Sequence, residues 1–208
     1  MKKVYIVRHG ETDYNKQMKI QGRGIDAPLN QTGRVQAEAL CGFFQSRPVD
    51  TISVSSLQRT RQTAEPVASM KKVVINNFRE LDEMDFGEME GSSVTDTQNQ
   101  VAVAKEKWEA GQTDFQIKGG ESPKQVFDRA STRIEQILNE QTGKNMLFVL
   151  HGRLIRILLA GWLYQDIRYM QKIHHANGAI NVLQYNNGNF EPLLLHYTNH
   201  LNIEPELS

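Results

Sequence analysis

Two separate stretches of the chain end in the same dipeptide. Val7-Arg8-His9-Gly10 closes one apolar run near the start, and Val149-Leu150-His151-Gly152 closes a stronger one near the end. Imidazole is the side chain that moves between nucleophile and acid close to neutral pH. One histidine in such a place is more often a satisfied structural residue than a reactive one. Two at equivalent strand ends, each followed by glycine, point to a shared site, because glycine lets the backbone turn tightly and brings N–H groups near a ligand. Arg8 beside His9 and Arg59 within Ser55-Ser56-Leu57-Gln58-Arg59 add planar forks that match phosphate oxygens. Ser55-Ser56 reads as the cap of a helix, whose N-terminus would favour an anion as well. Arg61 reads as a surface charge. Glu80, Asp82, Glu83, Asp85, Glu88 and Glu90 read, taken alone, as a solvated acidic loop, and composition does not choose among them.

The elements that must position these groups alternate. Lys3–Val7 is a first strand, and Val35, Ala39, Leu40, Phe43 and Phe44 mark one face of a helix capped by Asn30 or Thr32. Asp50–Val54 is a second strand, followed by a helix from Ser55-Ser56 to about Met70, and Lys72–Ile75 is a short third strand. Ser122, Pro123 and Gln125 open the next helix with a capping box and proline in its first turn. Residues 145–150 form the most apolar strand, and a helix runs from about Leu154 to Tyr164. Ala179–Tyr185 and Glu191–Leu195 form a hairpin turned by Asn186-Asn187-Gly188. The alternation predicts one α/β domain over residues 1–208. It is a three-layer sandwich, with a mostly parallel central sheet and helices on both faces. In such sheets the carboxyl ends of the strands line the ligand crevice, which would bring His9 and His151 face to face. Residues 92–118 break the pattern, being polar and weakly helical with Val101, Val103 and Trp108 as apolar anchors. They fit a small helical insertion capping the site, or equally a solvated connection.

The totals exclude several classes. The 208 residues hold 24 Lys plus Arg against 24 Asp plus Glu, so no overall field draws the chain to nucleic acid or an anionic membrane, and an anion site must be local. Cys41 is the only cysteine, which removes an internal disulfide and any cysteine-based zinc spacing. No apolar run has the length of a signal peptide or membrane span, so a cytoplasmic location is expected.

In order along the chain, "VRHGETDYN", "QGRGIDAPLNQTGRVQA", "SSLQRTRQTA", "ELDEMDFGEMEG" and "VLHGRLIRILL" resemble the histidine phosphatase superfamily, in its branch of phosphoglycerate mutase-like proteins and related phosphatases. The resemblance covers residue 3 to about 160. It implies that His9 becomes phosphorylated, that Arg8, Arg59 and His151 clamp the phosphoryl oxygens, and that Glu83 protonates the leaving alkoxide. Thr12, Asn15, Gln21, Gly22 and Gly152 are implied to bind substrate, with no metal and no cofactor. Fixed positive charge suits phosphoryl transfer, which needs little covalent help. His9 must be neutral to attack, with one ring nitrogen donating to a backbone carbonyl. His151 is expected to be protonated beside the anion, and Glu83 to hold its proton there.

Within the resemblance, the mutases carry an Arg-His pair after the catalytic glutamate, basic residues in the insertion and an Ile-Pro-Thr-Gly-like segment near the end. Here Met84-Asp85 follows Glu83, the insertion offers Lys105 and Lys107, and "HHANGAINVL" occupies residues 174–183. Acidic Asp85 disfavours a second anionic group. The expected activity is therefore phosphomonoester hydrolysis, on a small phosphorylated metabolite of the sugar phosphate or α-ribazole phosphate type. Phosphate or sulfate is the expected bound anion, and oligomeric state is open. A phosphoglycerate mutase is the alternative. A non-catalytic phosphate-binding relative would show damage at His9, Glu83 or His151, and none is present. Arg153 replaces the small residue that commonly follows His-Gly, and either extends the cationic rim or points to solvent. Met89 stands where the family often has tryptophan, as a softer filler of the same apolar gap.

Overall fold

The computed structural model describes residues 1–202; the last six positions of the expected domain lie outside the described residues. The chain runs β1 (Lys2–Arg8), α1 (Asp13–Lys16), α2 (Gln31–Phe44), β2 (Thr51–Ser55), α3 (Gln58–Lys71) and β3 (Ile75–Phe78). It continues through α4 (Gln98–Glu109), α5 (Pro123–Glu140), β4 (Asn145–Leu150), α6 (Gly152–Tyr164), β5 (Ile180–Asn186) and β6 (Asn189–Tyr197). The six strands form one sheet in the order β3-β2-β4-β1-β5-β6. The first four are mutually parallel, and β5 and β6 are antiparallel.

Side-chain alternation along the strands separates two cores. Val4 and Ile6 of β1 and Met146, Phe148 and Leu150 of β4 pack with α5 and α6. Tyr5, Val7, Leu147 and Val149 pack on the other face with α2 and α3. Each fully buried Val, Ile, Leu or Phe here contributes about 1.5–3 kcal/mol. Both faces of the parallel strands are therefore covered, as a sheet with near-continuous apolar runs requires.

Local signals set several boundaries. Ser122 accepts from the Gln125 amide while Gln125 accepts from the Ser122 amide, with Pro123 in the first turn of α5. Asn30 caps α2 through the Gly33 amide at 2.9 Å. Asn187 and Gly188 both take positive φ, 47° and 87°, in the tight turn between β5 and β6.

Three expectations are corrected. β3 starts at Ile75 rather than Lys72, because Lys72 ends α3 in a left-handed conformation at φ 55° and cannot begin a strand. Ser55-Ser56 do not cap α3: Leu57 holds that position, and Ser55 is still paired with Phe78 in the sheet. Val35 and Val103 are about half exposed, since the buried faces of their helices centre on Leu40 and Phe44 and on Ala104 and Trp108. No helix among the described residues is long and apolar enough to cross a membrane.

Candidate active site

β1 and β4 are parallel neighbours in register, Arg8 opposite Leu150, so the residues that follow them emerge side by side. The His9 and His151 rings lie 5.2 Å apart between centroids, edge to face at 60°. Both are buried. His9 Nδ1 is 2.7 Å from the Gly10 carbonyl oxygen. A carbonyl only accepts, so Nδ1 carries the proton and Nε2 keeps its lone pair. The mount is fixed in turn: the Gly10 amide donates to Thr63 Oγ1 at 2.9 Å, and Asn177 Nδ2 donates to the His9 carbonyl at 3.1 Å. The Gly10 amide therefore serves Thr63 and not a ligand. Burial, then the charges of Arg59 and Arg8, hold the His9 pKa well below its ordinary value, and the ring is neutral at neutral pH.

His151 is held at both ring nitrogens. Arg59 Nε–H donates to its Nδ1 at 3.2 Å, and a guanidinium can only donate. Nδ1 therefore has no proton, and Nε2–H donates to Ser55 Oγ at 2.7 Å. Burial, then Arg59 and His9, push its pKa well down. The ring is neutral in this structure; the protonated form was expected opposite a bound anion. Arg59 is fully buried and also donates to the carbonyls of Ile25 and Gly22, at 2.7 and 3.2 Å. Burial pulls its pKa to about 10, so it stays cationic at neutral pH.

The N-terminus of α3 is not open to phosphate. Its Gln58 amide donates to Asp26 Oδ1 at 2.7 Å, and the Ser56 amide and hydroxyl both donate to Asp82. Internal carboxylates already occupy the place an external anion would take.

The free donors lie elsewhere, around a cavity of about 280 Å³ lined by Arg8, His9, Asn15, Gln21, Glu83 and Gly152 together with residues described below. Arg8 lies against Gly152, where a Cβ would meet the guanidinium carbon at 3.1 Å, so a larger residue there would push the guanidinium aside. One Arg8 arm donates to the His175 carbonyl at 2.7 Å, while its buried Nε–H has no partner among the described residues. Asn15 turns its oxygen inward to the Thr12 and Asn177 N–H groups. Gln21 turns its oxygen to the Thr12 hydroxyl at 2.8 Å, and its buried Nε2 has no described partner. Both amides thus present NH₂ groups. A buried, unpaired donor costs about 1–3 kcal/mol, and an acceptor on a bound ligand would offset that cost.

Two expected substrate residues are placed differently. Thr12 is fully buried, caps α1 and holds Gln21, and does not line the cavity. Gly22 also stays outside it; its carbonyl anchors Arg59, and a Cβ there would strike Glu90 and the Met84 carbonyl.

Geometry sorts the acidic run. Glu80 pairs with Arg133, Asp82 with Ser56, Asp85 accepts from the Gly87 amide, Glu88 pairs with Lys118, and Glu90 accepts from the Phe86 amide. Glu83 alone of the six lines the cavity. Its Oε1 accepts from the Met84 and Leu154 amides, both at 2.9 Å, and Oε2 from the Arg153 amide at 3.0 Å. The first turn of α6 thus grips the carboxylate. Arg129 of α5 steadies the loop beneath by donating to the Glu80, Asp82 and Glu83 carbonyls, while its fork is held by Glu121. Asp85 itself stays outside the cavity lining.

From residues 92–118 come Val94, Val101, Ala104, Trp108 and Ile117 in the cavity wall, and Met89 is buried beside them. Arg153 lines the cavity too, its guanidinium 5.7 Å from the Trp108 ring, rather than pointing to solvent. Arg61 is exposed beside Glu65. Sequence reasoning missed Lys19 and Arg156 in the wall and Ser55, Arg129 and Asn177 behind it. Only Arg156 had a local signal, lying three residues after Arg153 on one helix face. Among the described residues no group of three His, Cys, Asp or Glu is placed to hold a metal ion.

Residues 4–198 match the histidine phosphatase superfamily, branch 1. Phosphoglycerate mutase-like protein 4 of Arabidopsis thaliana is 30% identical over 188 residues, which is 89% of this chain and 80% of that protein. A mycobacterial glucosyl-3-phosphoglycerate phosphatase, solved in complex with VO3, shares the fold with a TM-score of 0.86 at 23% identity, covering 95% of this chain and all of that one. The α-ribazole phosphatase of Shigella flexneri shares it with a TM-score of 0.81 at 24% identity, over 94% of this chain and 96% of its own.

Proposed function

The chain belongs to the histidine phosphatase superfamily, branch 1, and from that premise we propose that it hydrolyses small phosphomonoesters through a phosphorylated His9. The neutral His9 ring, with Nδ1–H fixed on the Gly10 carbonyl and Nε2 free, is the observation that carries this reading. Nε2 attacks phosphorus as the ester P–O bond breaks, and the Glu83 carboxyl gives its proton to the departing alkoxide. Water then attacks the phosphohistidine, its proton passes to Glu83, and the N–P bond breaks to release phosphate. Arg8 and the Asn15 and Gln21 amides meet the phosphoryl oxygens, which is where such a reaction gains most, while Arg59, which does not line the cavity, adds its charge from behind them. His151 acts through Arg59, whose Nε–H it fixes. Residues 92–118 serve as the cap, their apolar side chains limiting the cavity to a small substrate.

The names of the similar proteins divide between a mutase-like protein and phosphatases of two dissimilar substrates, which supports the family chemistry without choosing the ester. Arg153 and Arg156 keep phosphoglycerate interconversion as a second reading, since a mutase must also hold a carboxylate. Incubation with p-nitrophenyl phosphate and EDTA tests the first. Hydrolysis that persists in EDTA and is lost in His9→Ala, with a quenched N-linked phosphoryl adduct at position 9, is the expected result. Phosphate binding without turnover would overturn it. Interconversion of 2- and 3-phosphoglycerate stimulated by the bisphosphate would favour the mutase.

A further inference from the structure

Residues 175–178, which lead into β5, cross the end of β1 and touch the mount of the nucleophile at several points. The His175 carbonyl accepts one arm of Arg8 at 2.7 Å. The Gly178 amide donates to the Arg8 carbonyl at 3.1 Å and lies 3.3 Å from that of His9. Asn181 of β5 anchors the segment. Its Nδ2 reaches the Ile6 carbonyl at 3.3 Å and His175 Nε2 at 2.7 Å, while its oxygen accepts from the His196 amide.

Asn177 belongs to this network, partly buried and outside the cavity lining. Its Nδ2 meets three oxygens: the His9 carbonyl at 3.1 Å, the Gly10 carbonyl at 3.4 Å and Asn15 Oδ1 at 3.1 Å. Two of these are backbone carbonyls, which only accept, so the end of Asn177 that faces them is its NH₂. That NH₂ in turn decides which way Asn15 lies. Facing a donor, Asn15 presents its oxygen, and the Thr12 amide at 3.2 Å favours the same direction. The Thr12 hydroxyl has one proton and is closer to Gln21 than to Asn15. The Asn15 NH₂ is therefore the end turned to the cavity that Asn15 lines. The reverse orientation would set an amide oxygen against a phosphoryl oxygen, acceptor against acceptor.

Resting on the reading of the cavity as a phosphomonoesterase site, we propose that Asn177 is a positioning residue. It aims the Asn15 NH₂ at the phosphoryl oxygens and locks that aim to the carbonyls that carry His9. Orientation passes along a chain of donors and acceptors, from the His9 and Gly10 carbonyls through Asn177 to Asn15. The Gly10 carbonyl also takes His9 Nδ1–H, so the oxygen that sets the tautomer of the nucleophile helps to set the polarity of its cradle.

Asn177→Leu keeps the approximate shape and removes both donors; Asn177→Ala serves as a second variant should the first not fold. The probe is inorganic phosphate, titrated into isotopically labelled His9→Ala protein and followed in proton–nitrogen correlation spectra, whose backbone resonances also report the fold. The Asn15 side-chain amide pair, identified by its loss in Asn15→Ala, should move on phosphate addition when Asn177 is present and stay nearly still when it is replaced. Phosphate should bind about threefold to tenfold more weakly in Asn177→Leu, the worth of one hydrogen bond. With Asn15→Ala already present, the same replacement should weaken binding by less than about twofold, because the two residues act as one unit. Equal weakening with and without Asn15, or an amide pair that still moves as in the parent, would overturn the proposal. So would a parent that binds no phosphate, or loss of fold in both variants, which would make Asn177 a strut. None of these readings needs turnover. If the signals hold while wild-type protein fails to hydrolyse p-nitrophenyl phosphate, the esterase reading falls and the positioning role stands.

Discussion

Arg59 donates its Nε–H to Nδ1 of His151 across 3.2 Å, so one buried cation fixes both the tautomer and the direction of the second histidine ring. The same guanidinium reaches the Gly22 and Ile25 carbonyls, which joins the segment after α1 to the sheet end. Lysine cannot span three acceptors in one plane. Arg59→Lys should lower kcat/KM on p-nitrophenyl phosphate by about 10²–10³, the range for removing one preorganised donor. An unchanged value would show that Arg59 is only a strut.

Three buried histidines, His9, His151 and His175, each have a pKa held well below the ordinary value, first by burial. Above about pH 6.5 folded and unfolded chains are both neutral at these rings, and their contribution to stability is complete. As pH falls through that value the unfolded chain takes up protons that the folded chain refuses. Stability should then drop by about 1.4 kcal/mol per pH unit for each ring. Urea unfolding at pH 7.5, 6 and 5 reads this directly, and equal midpoints would contradict it.

Glu83→Gln keeps the side-chain shape but removes the proton donor. Glycerol 3-phosphate, with a poor leaving group, should lose about 10²–10⁴ in kcat, while p-nitrophenyl phosphate should lose much less. Equal losses would mean that Glu83 acts by positioning alone.

Much of the framework follows from local rules. The capping box at Ser122, the Asn187-Gly188 turn and the β4 run each depend on residues within a few positions of one another. The site was legible where the side chains follow a strand end, as with His9 and His151. It was illegible where partners lie far apart in the chain: Ser55 meets His151, and Arg129 meets Glu83, through contacts with no local periodicity. The acidic run illustrates the limit. Six carboxylates of similar context take six different partners, and only tertiary placement separates Glu83 from its neighbours.

Gly10 has a further role that its neighbour in sequence does not reveal. A Cβ there would come within 2.5 Å of the Gly33 carbonyl, backbone against backbone. Gly10→Ala should move the very carbonyl that holds His9 Nδ1, lowering kcat more than KM; stopped-flow phosphoenzyme formation would show a slower first step. A normal burst would refute the coupling.

The in-register pairing of β1 with β4 sets the distance between the two imidazoles by the strand repeat itself, about 4.8 Å. Spacing inherited from a hydrogen-bonded ladder needs no help from the overlying residues 92–118. Replacing residues 92–118 should therefore leave the separation of the two rings where the ladder sets it.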